Sequence, residues 1–172
     1  MNSKTMTKIQ KILLIIWFYF GWFGCVYFAK WHWSPWSYSF PFVAILFIFS
    51  KTLFSKNEWI FLSVFSFFGI LFDFAAFRFN LIEFPNPASD PFPHWLLAMW
   101  FLLATVFPIS HRFLQSRLWL AAFLGAIFGP LSYYSGEALQ ILSFKTPMGI
   151  AIYALFWGTF FPATIYLYSK IK

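Results

Sequence analysis

From Ile12 to Ala29 the chain runs eighteen residues without a charge, bounded by Lys11 and Lys30. A helix needs about 20 apolar residues to cross the roughly 30 Å core of a bilayer, and about 17 is the lower end. That core offers no water to backbone amides, so such a run crosses as a helix that satisfies its own hydrogen bonds. Five more stretches meet or approach the same requirement. The spacing predicts six spans, at residues 12–29, 36–50, 59–77, 95–110, 118–136 and 147–169. The second is the shortest and carries Pro41 near its start, with Trp36 and Tyr38 as interfacial anchors. Lys4, Lys8 and Lys11 resemble the start of a secretory signal. The run after them is long for a signal and no A-x-A site follows, so an uncleaved first helix is expected.

Composition agrees with that reading. The chain is 61% hydrophobic and 10% charged, whereas a soluble domain carries about 25% charged residues. Twenty-eight Phe, ten Trp and eight Tyr would make an implausible surface in water. The fold class expected is all-α: a polytopic membrane protein, a six-transmembrane-helix bundle forming a single domain over residues 1–172. No internal repeat is apparent. The net charge of +7 is spread between apolar runs and not gathered in one basic block, which points to membrane orientation and away from nucleic acid. Cys25 is the one cysteine, so an intrachain disulfide is excluded, and no CxxC or Cys/His zinc spacing exists. His32, His94 and His111 are far apart in sequence. Neither a metal nor a cofactor is expected.

Basic residues set an expected orientation. Lys4, Lys8, Lys11, Lys51, Lys56, Arg112, Arg117, Lys170 and Lys172 fall on one side of a six-span arrangement, and Lys30, Arg78 and Lys145 on the other. The richer side is expected to face the cytoplasm, with both the N-terminus and the C-terminus there. Asp73, Glu83, Asp90 and Glu137 then all lie toward the outer side. The segment from Asn80 to Pro93 holds Pro85, Pro87, Pro91 and Pro93. It reads as a stiff outer cap, with Glu83 and Asp90 solvated.

Asp73 is the residue that most needs a reason. It lies fifteen residues past Glu58, about 22 Å along a helix at 1.5 Å per residue. An acid near the middle of a span costs about 2.5–3.5 kcal/mol on insertion scales, so function is its default reading. A purely structural hydrogen-bonding role is the alternative. Ser66, Gly69 and Ala76 share its helical face, and small stripes in membrane helices mark close approach between helices. Asp73 is therefore expected to face inward. Gly125, Gly129, Ser132 and Gly136 form a second stripe, beside Pro130, Tyr133 and Glu137. Ala151, Ala154, Gly158 and Pro162 form another on the last helix. Candidate catalytic residues are Asp73, His94 and Glu137, as acid, base or headgroup ligands. Ser132, Tyr133 and Arg78 are candidate binding residues. His111 and Arg112 are expected on the inner face.

Three segments, "GWFGCV" (21–26), "HWLLAMWFLLA" (94–104) and "GAIFGPLSYYSGEAL" (125–139), resemble a bacterial inner-membrane family catalogued as a domain of unknown function. The resemblance covers the whole chain and implies a multi-pass protein of the bacterial inner (cytoplasmic) membrane. It implies no activity. No P-loop, dinucleotide-binding glycine pattern or HExxH motif is present. Three functions stay open. The first is binding or modifying membrane lipid from the outer leaflet. The second is a non-enzymatic accessory or scaffold that engages a membrane-protein partner or its own copies. The third, least favoured, is a small oligomeric transporter.

Overall fold

The computed structural model describes residues 7–30, 54–85 and 93–171. Five long helices follow one another: α1 (Lys8–Lys30), α2 (Lys56–Arg78), α3 (His94–Leu114), α4 (Leu118–Ala138) and α5 (Pro147–Ile171). Each contains a window long and apolar enough to cross a membrane. They match five of the six expected spans. The sixth, at 36–50, lies outside the described residues, as does Asp90. The helices overrun the apolar windows because polar ends continue the backbone hydrogen bonding. α1 and α2 both open with a capping box. The Thr7 amide donates to Gln10 Oε1 at 2.9 Å and the Gln10 amide to Thr7 Oγ1 at 3.2 Å. Ser55 and Glu58 repeat this reciprocal pair at 2.9 and 3.3 Å.

Two strands were not expected. β1 (Ile82–Glu83) and β2 (Ser143–Phe144) pair antiparallel, Ile82 with Phe144 and Glu83 with Ser143. A tight helix stop precedes each strand. Asn80 and Gln140 have φ of 56° and 62°, in the left-handed region that ends helices. The Leu81 amide donates back to the Ala76 carbonyl at 2.9 Å, and the Ile141 amide to the Gly136 carbonyl at 3.0 Å. Both chains therefore leave their helices in the same direction relative to the last turn, which sets up a short ribbon. The prolines of the segment begin at Pro85, after β1, so they do not block its pairing.

The chain divides into two compact units. One comprises Met1–Ile70, His94–Ser110 and Ile171–Lys172; the other comprises Leu71–Pro93 and His111–Lys170. In the first, α2 and α3 meet through Phe61, Phe65, Trp100 and Phe107, with Phe65 packing edge-on to Trp100 at 5.7 Å. Ser66 Oγ donates to the Trp100 carbonyl at 3.3 Å. Gly69 lies directly under the Trp100 ring, where a Cβ would sit 2.3 Å from ring carbons. In the second unit, Gly125 and Gly129 receive α5. A Cβ on Gly125 would lie 2.5 Å from the Trp157 carbonyl oxygen, and one on Gly129 would lie 2.1 Å from the Trp157 ring. The expected glycine spacing on α4 is thus the seat of one tryptophan. On α5 the buried face is Gly149, Tyr153, Trp157, Thr164, Ile165 and Tyr168. Of the expected Ala151–Ala154–Gly158–Pro162 stripe, Ala151 is exposed and the other three are half-buried, and Gly158 approaches α4 closely, where a Cβ would lie 3.2 Å from the Ala126 methyl and 3.6 Å from the Ala122 carbonyl oxygen.

Replacing Gly129 by Ala drives a methyl group to within 2.1 Å of the Trp157 indole, whereas Gly158→Ala meets the Ala126 methyl at 3.2 Å and the Ala122 carbonyl oxygen at 3.6 Å. Gly129→Ala is expected to cost about 1–3 kcal/mol, as overpacking does, and Gly158→Ala clearly less. Thermal unfolding in detergent, followed by fluorescence, measures the difference. Gly69→Ala should resemble Gly129→Ala, while Gly21→Ala, which meets the mobile end of Leu102, should be milder.

A buried carboxylate held by two tyrosines

Asp73 has no accessible surface. It lies in the last third of α2, on the expected face: Ser66, Gly69, Asp73 and Ala76 are all buried. Its partners come from the two helices that follow in the same unit. Tyr133, on α4, directs its hydroxyl at both carboxylate oxygens, 2.9 Å from Oδ1 and 2.8 Å from Oδ2. Tyr153, on α5, donates to Oδ1 at 2.8 Å. Charge-assisted bonds of this length are the strong kind, and a buried carboxylate needs them to offset lost hydration. The two phenol rings are 4.3 Å apart between centroids. Phe72 and Phe144 close on Tyr153 edge-on, at 4.9 and 5.4 Å. Phe72 also stacks on Phe156 at 3.6 Å.

Local chain geometry places the tyrosines. The Leu81 carbonyl accepts the Lys145 amide at 3.0 Å, and a Cβ on Gly149 would come within 2.9 Å of it. The start of α5 is therefore pressed against the turn after α2, one helical turn before Tyr153. Tyr153 escaped the sequence reading, which followed small residues on the last helix. Its signal was the spacing Gly149–Tyr153–Trp157, a polar ring on an apolar stripe at i, i+4, i+8.

Tyr133 joins Asp73. Ser132 is exposed and donates to the Gly129 carbonyl of its own helix at 2.6 Å, which is local back-bonding. Glu137 accepts the Phe144 amide through Oε1 at 3.3 Å, steadying the start of the ribbon. Arg78 is exposed in the last turn of α2, where a cation complements the helix dipole. His94 is the first residue of α3. His111, expected on the inner face, is 2% exposed and packs edge-on to Tyr168 at 4.7 Å. Glu83, expected to be solvated, is nearly half exposed, and it also pairs with Lys145 and accepts from Ser143 Oγ at 2.9 Å. The strand pairing brings those residues across from it. Among the described residues no cluster of His, Cys, Asp and Glu has the makings of a metal site.

Tyr153→Phe removes one donor and leaves the carboxylate the Tyr133 hydroxyl. The expected cost is about 1–3 kcal/mol, the range for a hydrogen bond to a charged or buried group. Asp73→Ala should cost more, since it strands two phenol hydroxyls and opens a void. Thermal unfolding of the purified variants in detergent checks the order.

The Lys145 ammonium, and then the Ser143 hydroxyl, hold the Glu83 carboxyl below its ordinary 4.5. A depressed carboxyl contributes stability above 4.5 and loses it as pH falls through the lowered folded value. Lys145→Met should raise the Glu83 midpoint toward 4.5, read by NMR titration in micelles. Because both side chains are nearly half exposed, global stability should change little.

No curated protein and no solved structure matches the chain. A family model described as "Protein of unknown function (DUF2878)" matches residues 11–163. That covers most of the sequence and all three segments on which the resemblance rested, and the chain belongs to the DUF2878 family.

Proposed function

We propose that the protein is a non-enzymatic membrane component, an accessory or scaffold chain, in which Asp73 locks three helices together. One observation carries this reading. The carboxylate is fully buried and both its oxygens accept from tyrosine hydroxyls. A substrate that engaged the carboxylate would have to displace the Tyr133 and Tyr153 hydroxyls. Buried polar groups with this degree of satisfaction rigidify and specify an arrangement. The proposed setting is a bacterial inner membrane, crossed six times, with the basic segments and both chain ends on the cytoplasmic side. The partners expected are another membrane protein or further copies of this chain.

A second reading keeps the lipid role. A carboxylate within 2.8–2.9 Å of two phenols is also an acid–base array of the kind that moves protons on a bound substrate. In that reading the same helices open to admit a lipid from the outer leaflet.

The two readings separate on Asp73→Asn and Tyr153→Phe. The scaffold reading expects lower membrane abundance and lower detergent stability. It also expects a membrane protein, or a second copy, to cross-link to the wild-type chain, and lipid composition to stay unchanged once expression is matched. Altered lipid composition at wild-type protein levels would overturn it in favour of the lipid role.

A further inference from the structure

Two segments of the chain share a set of local features at a constant offset. The hydrogen bond between Asp73 and Tyr133 joins residues 60 apart, and so does the bond between Glu83 and Ser143. At that offset Trp59, Phe68, Gly69, Leu71 and Phe84 recur as Trp119, Phe128, Gly129, Leu131 and Phe144. So few identities would be weak evidence in a chain this rich in Phe and Leu. The backbone is more specific. The left-handed stops are Asn80 and Gln140. Three hydrogen bonds shape each stop, and they correspond one to one. Phe79 to Ala75, Asn80 to Phe77 and Leu81 to Ala76 are matched by Leu139 to Ser135, Gln140 to Glu137 and Ile141 to Gly136. Gly69 and Gly129 each lie under a tryptophan ring, Trp100 and Trp157.

We infer that residues 56–85 and 116–145 are two copies of one helix–turn–strand element, whose ends recognise each other about a local twofold axis, so that Asp73 and Tyr133 are one position used twice. The expectation of a chain without an internal repeat gives way. The ribbon carries the symmetry. Glu83 faces its own counterpart Ser143, and an antiparallel pair centred on two equivalent residues is twofold by construction. Toward the helices, the other equivalent pair that meets is Asp73 with Tyr133. Two identical residues at such a contact would set carboxylate against carboxylate or phenol against phenol. An acid in one copy and a phenol in the other give a donor and an acceptor. The Glu83–Ser143 contact solves the same problem the same way. α1 carries a further copy of the helix. Like α2 it is 23 residues long and opens with a reciprocal capping box. Phe20–Gly21 stands where Phe68–Gly69 and Phe128–Gly129 stand, which puts the buried Cys25 at the position of Asp73. This inference stands apart from the choice between scaffold and lipid roles, since it concerns how the contact is made.

The test is an exchange across the axis, made in full-length Tyr153→Phe protein so that the third partner does not bias the outcome. Asp73→Tyr alone and Tyr133→Asp alone should each lower membrane abundance several-fold and lower the unfolding temperature in detergent. Asp73→Tyr with Tyr133→Asp should recover most of both losses. A second exchange, Glu83→Ser with Ser143→Glu, lies on the exposed ribbon and leaves folding intact. By NMR the moved carboxylate should titrate lower than in Glu83→Ala with Ser143→Glu, because Lys145 is common to both proteins and only the exchange sets a hydroxyl opposite the carboxylate. The proposal is overturned if the first double variant is no better than the worse single one. It is also overturned if the moved carboxylate titrates alike in the two proteins.

Discussion

The carboxylate of Asp73 has left water with no accessible surface remaining, and the cost of doing so dictates what must surround it. Two donors within 2.9 Å meet that cost, one from α4 and one from α5. Each donor is a phenol at the end of a rigid ring, so the helices that carry them have little freedom to slide without breaking a bond. In water a lost bond of this kind is partly replaced by solvent. Inside a bilayer it is not, and the cost of a missing partner is larger. The second unit is organised by that asymmetry. Its aromatic contacts around Phe72, Tyr153 and Phe144 add area and shape, but they would tolerate other registers, and the carboxylate would not.

Close approach is the complementary constraint. Lipid tails are as apolar as leucine, so helices in a membrane gain from contact chiefly where backbones come near enough for dense packing. Gly69, Gly125 and Gly129 provide that nearness; a tryptophan ring fills the space a Cβ would take at Gly69 and Gly129, and the Trp157 backbone carbonyl fills it at Gly125. The indole is a large flat surface that only a residue without a side chain can accept face-on. The glycines and the tryptophans therefore form one device, and changing either member alone leaves a clash or a void.

The two helix stops show how short-range rules reach the site. A left-handed residue at Asn80 and at Gln140 turns each chain out of its helix at a fixed angle. The ribbon then has only one register to adopt, with Glu83 opposite Ser143. That register carries Lys145 to Glu83 and brings the first turn of α5 against the Leu81 carbonyl. Tyr153 reaches Asp73 because of two backbone turns that no hydrophobic pattern announces. Equivalence between the two segments is also easiest to see in these turns. Hydrogen-bond geometry is retained where side chains, constrained only to be apolar, have diverged.

Several features follow from the amino-acid order alone. Charge-free runs bounded by lysines and arginines require membrane-spanning helices, because length and hydration cost leave no alternative for the backbone. The Ser66–Gly69–Asp73–Ala76 face was legible for the same reason, since helical periodicity converts spacing into direction. The glycine spacing on α4 was legible as a contact surface but not as a seat for Trp157. Sequence could not pair Asp73 with Tyr153, turn Ser132 outward, bury His111 against Tyr168, or bring Glu83 to Lys145. Those outcomes depend on which helices become neighbours and on the angle at which each chain leaves its helix. Periodicity fixes where a side chain points around its own axis; only packing against other helices decides what it meets.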